Sequence, residues 1–124
     1  KWNQERKKIA KRYLQEIKNP LIHLPLPDSE EYSHVYHVFV IRCKWRDELE
    51  AYLKKNGVYT VKHYPIPIHL QSAYANLQLT NGSLPIAEEI SNTVLSLPMY
   101  YGISKDNIDT VIRLVNGFHI NQCS

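Results

Sequence analysis

Two prolines separated by one residue, Pro65 and Pro67, place the strongest constraint on how this chain can fold. Each proline ring fixes its own φ at about −65° and pushes the residue before it towards an extended backbone. Because neither proline has an N–H to donate, residues 64–68 cannot form a fully paired central strand. The sequence therefore predicts a strand that ends near His63, a stiff extended segment over residues 64–68, and a short helix over residues 70–77.

Groups that can contact a ligand flank this segment. His63 and Tyr64 precede the first proline, and His69 follows the second by two positions. An imidazole or a phenol can exchange hydrogen bonds with hydroxyl or phosphate oxygens, and a rigid backbone lowers the entropic cost of holding them in place. The residues alone favour a structural role, in which His63 is a strand-end histidine bonded to backbone and Tyr64 covers the core. His69 either lines a binding site or caps the helix that follows.

The remaining pattern predicts an α+β fold. Apolar residues that recur every three or four positions, together with capping residues, predict helices over residues 2–17, 47–56, 85–92 and 104–117. Short apolar runs predict strands over residues 35–42, 58–63 and 94–97, of which the first two should pair antiparallel. Residues 19–31 contain three prolines and are predicted as an extended connector. The expected architecture is a small, mostly antiparallel sheet of about three strands with helices packed mainly on one face.

Composition and charge exclude several classes of protein. The chain has 124 residues, 44% of them hydrophobic and 22% charged, as in an ordinary globular domain. Six positive charges fall within the first twelve residues. They could contact nucleic acid, but without interleaved aromatic residues they are better interpreted as the solvated face of a helix. No apolar run reaches membrane-spanning length.

Cysteine and methionine usage indicate where the protein functions and whether the chain is a fragment. Two cysteines, Cys43 and Cys123, are too few for a disulfide framework, and we expect reduced thiols in a cytoplasmic protein. The single methionine is Met99, so Lys1 is interpreted as a boundary inside a longer protein.

Several segments resemble those of one protein family. They occur in the same order as in that family and cover nearly the whole chain. The central one is Lys62-His63-Tyr64-Pro65-Ile66-Pro67-Ile68-His69-Leu70-Gln71. The others are Arg6-Lys7-Lys8-Ile9-Ala10-Lys11-Arg12-Tyr13-Leu14, Tyr36-His37-Val38-Phe39-Val40-Ile41-Arg42, Arg46-Asp47-Glu48-Leu49, Gly57-Val58-Tyr59-Thr60, Leu84-Pro85-Ile86-Ala87-Glu88-Glu89-Ile90-Ser91 and Leu95-Ser96-Leu97-Pro98. Together they resemble the C-terminal small domain of the DegT/DnrJ-type nucleotide-sugar aminotransferases, which are pyridoxal-phosphate enzymes of fold type I.

The resemblance implies that residues 1–124 are this small domain, without the larger cofactor-binding domain. The parent protein would be a homodimer that transfers an amino group, commonly from glutamate, to a keto-deoxy sugar on a nucleotide, most closely a dTDP-linked one. His63, Tyr64 and His69 would contact that nucleotide sugar. This chain would supply part of the substrate-side wall and dimer contacts, would bind no pyridoxal phosphate itself, and would be inactive alone.

No residue of this chain is assigned to catalysis or to a metal. In the family, the Schiff-base lysine and the carboxylate at the pyridinium nitrogen belong to the larger domain. Lys54, Lys55 and Lys62 have no carboxylate motif around them in the sequence, and none is assigned the Schiff-base role. His63 and His69 lack the spacing and the further ligands of a zinc site. Two other functions stay open: a stand-alone or regulatory sugar-nucleotide-binding module without catalysis, and a related sugar dehydratase in which histidine replaces the Schiff-base lysine.

Overall fold

The structure, a computed structural model, describes residues 1–27 and 35–121. Its elements are α1 (Trp2–Glu16), β1 (Ile22–His23), β2 (Phe39–Cys43), α2 (Arg46–Lys55), two 3-10 helices (Ile68–Leu70 and Ser72–Leu77), α3 (Pro85–Thr93), β3 (Val94–Leu97) and α4 (Lys105–Gly117). The strands form one antiparallel sheet in the order β1-β2-β3, which confirms the predicted α+β class. No helix within the described ranges is long and apolar enough to cross a bilayer.

One face of the sheet, with α1, α2 and α4, forms the hydrophobic core. Alternate residues of paired strands point to the same face, and the cross-strand pairs Phe39–Leu97 and Ile41–Leu95 are all buried. The helices contribute the apolar stripes that the sequence predicts, and the Tyr13 ring lies 5.0 Å from the Phe39 ring, centroid to centroid. The fully buried large side chains are Tyr13, Phe39, Ile41, Leu49, Leu53, Leu95 and Val115.

Two asparagines tie the C-terminal ends of α1 and α4 together. The buried Asn19 amide donates to the carbonyl oxygens of Val115, at 2.8 Å, and Phe118, at 2.7 Å. In return, Asn116 donates to the carbonyl of Glu16 at 2.8 Å. Because the last carbonyls of a helix have no partner within it, these side chains satisfy groups that would otherwise be left unpaired.

The predicted helix boundaries are largely confirmed. Ser104 caps α4, since its hydroxyl accepts from the backbone N–H of Asn107 at 3.1 Å. Gly57 follows α2 with φ +84°, the left-handed conformation expected of the residue after a helix end. The predicted 70–77 helix is wrong in form: the chain makes the two short 3-10 helices instead.

The predicted pairing of residues 58–63 with the 35–42 strand is wrong. The two edges of β2 are occupied by β3 and by β1, which lies in the predicted connector. In the described part of the chain, the backbone of the 58–63 segment pairs instead with β3, at the single position Val61. The backbone N–H of Ser96 donates to the carbonyl of Val61 at 2.8 Å, and that of Val61 donates back at 3.3 Å. Residues 28–31 of the predicted connector and Cys123 lie outside the described residues.

The faces of the strands differ in burial. The apolar run in the 35–42 segment predicts a strand covered on one face by helices of this chain and on the other by loops and the absent larger domain. In this chain, Val40 is half-buried and Arg42 is exposed. The strand covered on both faces is β3, in which every residue is buried. Leu95 and Leu97 belong to the core, so Val94 and Ser96 face the opposite side of the sheet.

Candidate functional site

An open cavity of about 590 Å³ lies on that opposite side of β3. Residues around the two prolines, the second 3-10 helix, α3 and the first residue of β3 form its walls, so we call it the proline cavity. Its lining residues are His63, Tyr64, Ile66, Pro67, Ile68, His69, Tyr74, Leu77, Leu79, Leu84, Ala87, Ile90, Ser91 and Val94. The walls are therefore mostly apolar, and the polar side chains among them come from several elements.

His63 and Tyr64 lie on the cavity wall with accessible side chains. His63 is exposed, and its Nδ1 lies 2.8 Å from the hydroxyl of Ser96. The Tyr64 side chain is 65% exposed and meets the His63 ring edge-on, with centroids 5.9 Å apart. The backbone carbonyl of Tyr64 accepts a hydrogen bond from Ser91 at 3.1 Å. The backbone beneath these rings is therefore fixed while the rings themselves remain accessible.

His69 differs from that pair because its ring is buried and contacts a carboxylate. It is only 6% exposed, and its Nε2 lies 2.9 Å from the Glu88 carboxylate. Both carboxylate oxygens of Glu88 accept from the backbone N–H of Gly82 at 2.9 Å. These hydrogen bonds hold the pKa of Glu88 below its usual value, and the one from Gly82 has a larger effect than the one with His69. His69 lies inside the first 3-10 helix and connects the cavity wall to α3.

Lys62, the residue before His63, is anchored to α2 by its own side chain. Its Nζ lies 2.7 Å from a carboxylate oxygen of Glu50 and 2.9 Å from one of Asp47. Both hydrogen bonds raise the pKa of Lys62, and the one to Glu50 has the larger effect. The sequence around Lys62 shows no carboxylate motif, yet the fold brings two carboxylates of α2 to its Nζ. Residues 47 and 50 are three apart, which places both carboxylates on one helix face. This spacing indicates that a cation could pair with them, but it does not indicate which cation.

No sequence pattern indicates the two serines that support the candidate site. Ser96 contacts His63 from β3, and Ser91 contacts Tyr64 from α3. Each serine is separated from its partner by about thirty residues, and a hydroxyl inside an apolar pattern carries no periodic signal.

The described lining of the proline cavity does not fit a pyridoxal phosphate group. It contains no lysine for an imine and no carboxylate for a pyridine nitrogen. Lys62, next to His63 in sequence, directs its Nζ to α2. What the cavity does offer is apolar contact together with an imidazole and a phenol, which suits a ligand with a flat apolar part and a part rich in oxygen atoms.

Comparisons with known proteins place this site in a larger context. Residues 1–116 match the DegT/DnrJ/EryC1/StrS aminotransferase family. A dTDP-3-amino-3,6-dideoxy-alpha-D-galactopyranose transaminase of Aneurinibacillus thermoaerophilus is 42% identical over 94% of this chain and 31% of its own length. The erythromycin biosynthesis sensory transduction protein EryC1 of Saccharopolyspora erythraea is 41% identical over 90% of this chain and 30% of its own length.

The fold has the same relationship to solved structures. DesV of S. venezuelae, crystallised in complex with a ketimine intermediate, superposes with a TM-score of 0.87 and 38% sequence identity. The superposition covers 93% of this chain and 31% of that one. The chain therefore spans about a third of the length of the relatives it matches.

Proposed function

The chain belongs to the DegT/DnrJ/EryC1/StrS aminotransferase family, and from that membership we propose that it is the C-terminal small domain of a sugar aminotransferase. The intact protein would use pyridoxal phosphate to move an amino group, with glutamate as a suitable donor, onto a keto-deoxy sugar linked to a nucleotide. The names of the dTDP-sugar transaminases among its relatives support a dTDP-linked substrate. The cofactor would be held by the part of the protein outside this chain.

One observation carries the substrate assignment: His63 and Tyr64 present accessible rings on the wall of a mostly apolar cavity. A nucleotide sugar combines a flat base with sugar hydroxyls and a diphosphate. In our proposal the imidazole and the phenol hydrogen-bond the oxygen-rich part of this ligand, and apolar residues contact the rest. His69 contributes indirectly, because its hydrogen bond to Glu88 holds the wall in place.

The same region supplies the contacts proposed with the rest of the enzyme. Ile66 and Ile68 are 53% and 60% exposed, on the stiff segment next to His63 and Tyr64. When another domain or a second subunit covers side chains of this kind, their apolar surface is removed from water, which is favourable. The proposed protein is a homodimer in which this segment forms part of the substrate-side wall.

Substitution of His63 tests the substrate site. In the intact protein containing this chain, His63→Ala should lower kcat/KM for the nucleotide sugar by an amount equivalent to about 1–3 kcal/mol, the cost of losing a polar contact. His119→Ala is the matched control, since His119 is exposed beyond α4 and its ring contacts the backbone of Gly117. Equal kcat/KM values for the two variants would overturn the site assignment.

A cofactor titration tests the division of labour between domains. The isolated chain, incubated with pyridoxal phosphate and then dialysed, should retain no imine absorbance, because its cavity contains no lysine. A stable imine band would contradict the proposal.

A regulatory, non-catalytic binding module is the second candidate. It is favoured by the name of one close relative, a sensory transduction protein. The two candidates differ in the reading frame upstream of Lys1. A large domain with a Schiff-base lysine there supports the aminotransferase, and a frame without one supports the binding module.

A further inference from the structure

Ser96 is a polar residue in a place that otherwise selects apolar ones. It lies in β3, is 5% exposed, and has Val94, Leu95 and Leu97 as the other residues of its strand. A buried hydroxyl is unfavourable unless it is hydrogen-bonded. Within residues 1–27 and 35–121, the hydrogen-bond partner of this hydroxyl is Nδ1 of His63, at 2.8 Å.

The backbone holds Ser96 and His63 in fixed relative positions. Ser96 pairs with Val40 of β2 on one side and exchanges two backbone hydrogen bonds with Val61 on the other. Val61 lies only two residues before His63, and the intervening Lys62 is bound to α2. Three successive residues are thus anchored, and Ser96 provides two of the three anchors.

The contact between His63 and Ser96 bears on which ring nitrogen can donate to a ligand. A neutral imidazole has one N–H and one acceptor nitrogen, and a hydroxyl can donate or accept. In the described part of the chain, Nδ1 is the partner of the Ser96 hydroxyl, at 2.8 Å. If the hydroxyl donates its proton there, the ring proton lies on Nε2. His63 would then offer an N–H donor to an oxygen atom in the proline cavity.

We propose that Ser96 is a positioning residue: its hydroxyl donates to Nδ1 of His63 and fixes the ring as an Nε2–H donor for a phosphate or hydroxyl oxygen of the ligand. This inference rests on the proposed function, since it extends the role of His63 in binding a nucleotide sugar. Ser96 itself is buried in the sheet and acts through His63.

A direct test measures the tautomer of His63 by ring-nitrogen NMR on the 124-residue chain, with the signal assigned by its loss in His63→Gln. At a pH where the ring is neutral, we expect Nδ1 to give the signal of an unprotonated nitrogen and Nε2 that of an N–H. A protonated Nδ1 would overturn the proposal. This measurement on the unsubstituted chain stands even if a Ser96 variant fails to fold.

A double-mutant cycle in the intact protein tests the coupling between the two residues. Ser96→Ala should raise KM for the nucleotide sugar roughly three- to tenfold, the effect of losing one hydrogen bond, and leave KM for the amino donor unchanged. His63→Ala and the double variant should match each other, because Ser96 acts only through His63. Additive effects, or an equal change in both KM values, would overturn the positioning role.

Two further variants separate positioning from stability. Ser104→Ala removes another hydroxyl hydrogen bond, at the start of α4, and should leave both KM values unchanged. Ser96→Thr retains a hydroxyl and should restore most of the affinity. If His63→Ala leaves nucleotide-sugar kinetics unchanged, the proposed substrate site fails. If His63→Ala weakens binding but Ser96→Ala does not, only the positioning role is overturned.

Discussion

The core and the proline cavity are held together by different interactions. In the core, Tyr13, Phe39 and Leu53 are completely buried, so apolar burial stabilises their positions. Around the cavity, Tyr64 and Leu77 are 65% and 55% exposed, and the segment that carries them is fixed by individual hydrogen bonds from buried groups. The fold of this chain therefore depends on its total apolar area, whereas the shape of the candidate site depends on a few polar atoms.

The largest contrast should come from truncating one apolar side chain in each region. Phe39→Ala should reduce the free energy of unfolding by about 3–5 kcal/mol, because it opens a cavity in a packed core. Ile66→Ala, at a 53% exposed position, should change it by no more than about 0.5 kcal/mol. Urea denaturation of both variants measures the difference, and similar losses would show that the two regions are not held differently.

The next effect should come from Arg46, which connects the two regions. Its side chain is 8% exposed, and Nη1 donates to the carbonyls of Ser91 at 2.7 Å and Val94 at 3.3 Å, at the end of α3. Arg46→Met keeps the aliphatic packing and leaves these carbonyls unpaired, so we expect a loss of about 1–3 kcal/mol. Thermal denaturation measures this loss. The exposed Arg42 of β2 provides the control, since Arg42→Met should have a much smaller effect in the same experiment.

Acid should loosen the cavity wall before the core. Because hydrogen bonds lower the pKa of Glu88 in the folded state, its contribution is fully present above the usual value of 4.5 and is lost as the pH falls through the folded-state pKa. We expect the Gly82 amide to lose protection from hydrogen exchange over that range, while core amides keep theirs. Glu88→Gln should remove the pH dependence, and equal loss at both places would contradict a local effect.

The smallest effect should come from Lys62. Its side chain is 25% exposed, and its partner Asp47 is 70% exposed, so solvent screens much of the interaction. Lys62→Gln should cost about 0.2–1 kcal/mol, and less at high salt. Lys54→Gln, on the exposed end of α2, is the control. A salt-independent loss would mean that Lys62 acts through packing instead.

The same contrast explains what could be predicted from the sequence. The stripe of Ile108, Val111, Ile112 and Val115 repeats with the period of a helix, so α4 could be located together with its cap at Ser104. The two-residue strand β1 could not, because it is too short for any period to show and lies among prolines. Because β1 and β3 occupy both edges of β2, the alternating 58–63 segment cannot pair with β2, and its backbone bonds instead to β3 at Val61.

The sequence indicated the segment that lines the proline cavity, but not the residues that support it. The two prolines identified a stiff segment, and His63 and Tyr64 lie on a cavity wall beside it. The partners of that segment come from distant elements: Ser96 from β3, Glu88 from α3 and Asp47 from α2. Which polar residues meet across such distances depends on tertiary packing, for which no local pattern provides a signal.

The asparagine hydrogen bonds between the ends of α1 and α4 have a consequence for the order of folding. Asn19 bonds to carbonyls 96 and 99 residues away along the chain, so these bonds can form only after most of the intervening chain has been brought together. Interactions that are absent from the transition state influence the rate of unfolding rather than the rate of folding. We therefore expect Asn19→Ala to shorten the lifetime of the native domain while refolding proceeds at nearly its original speed.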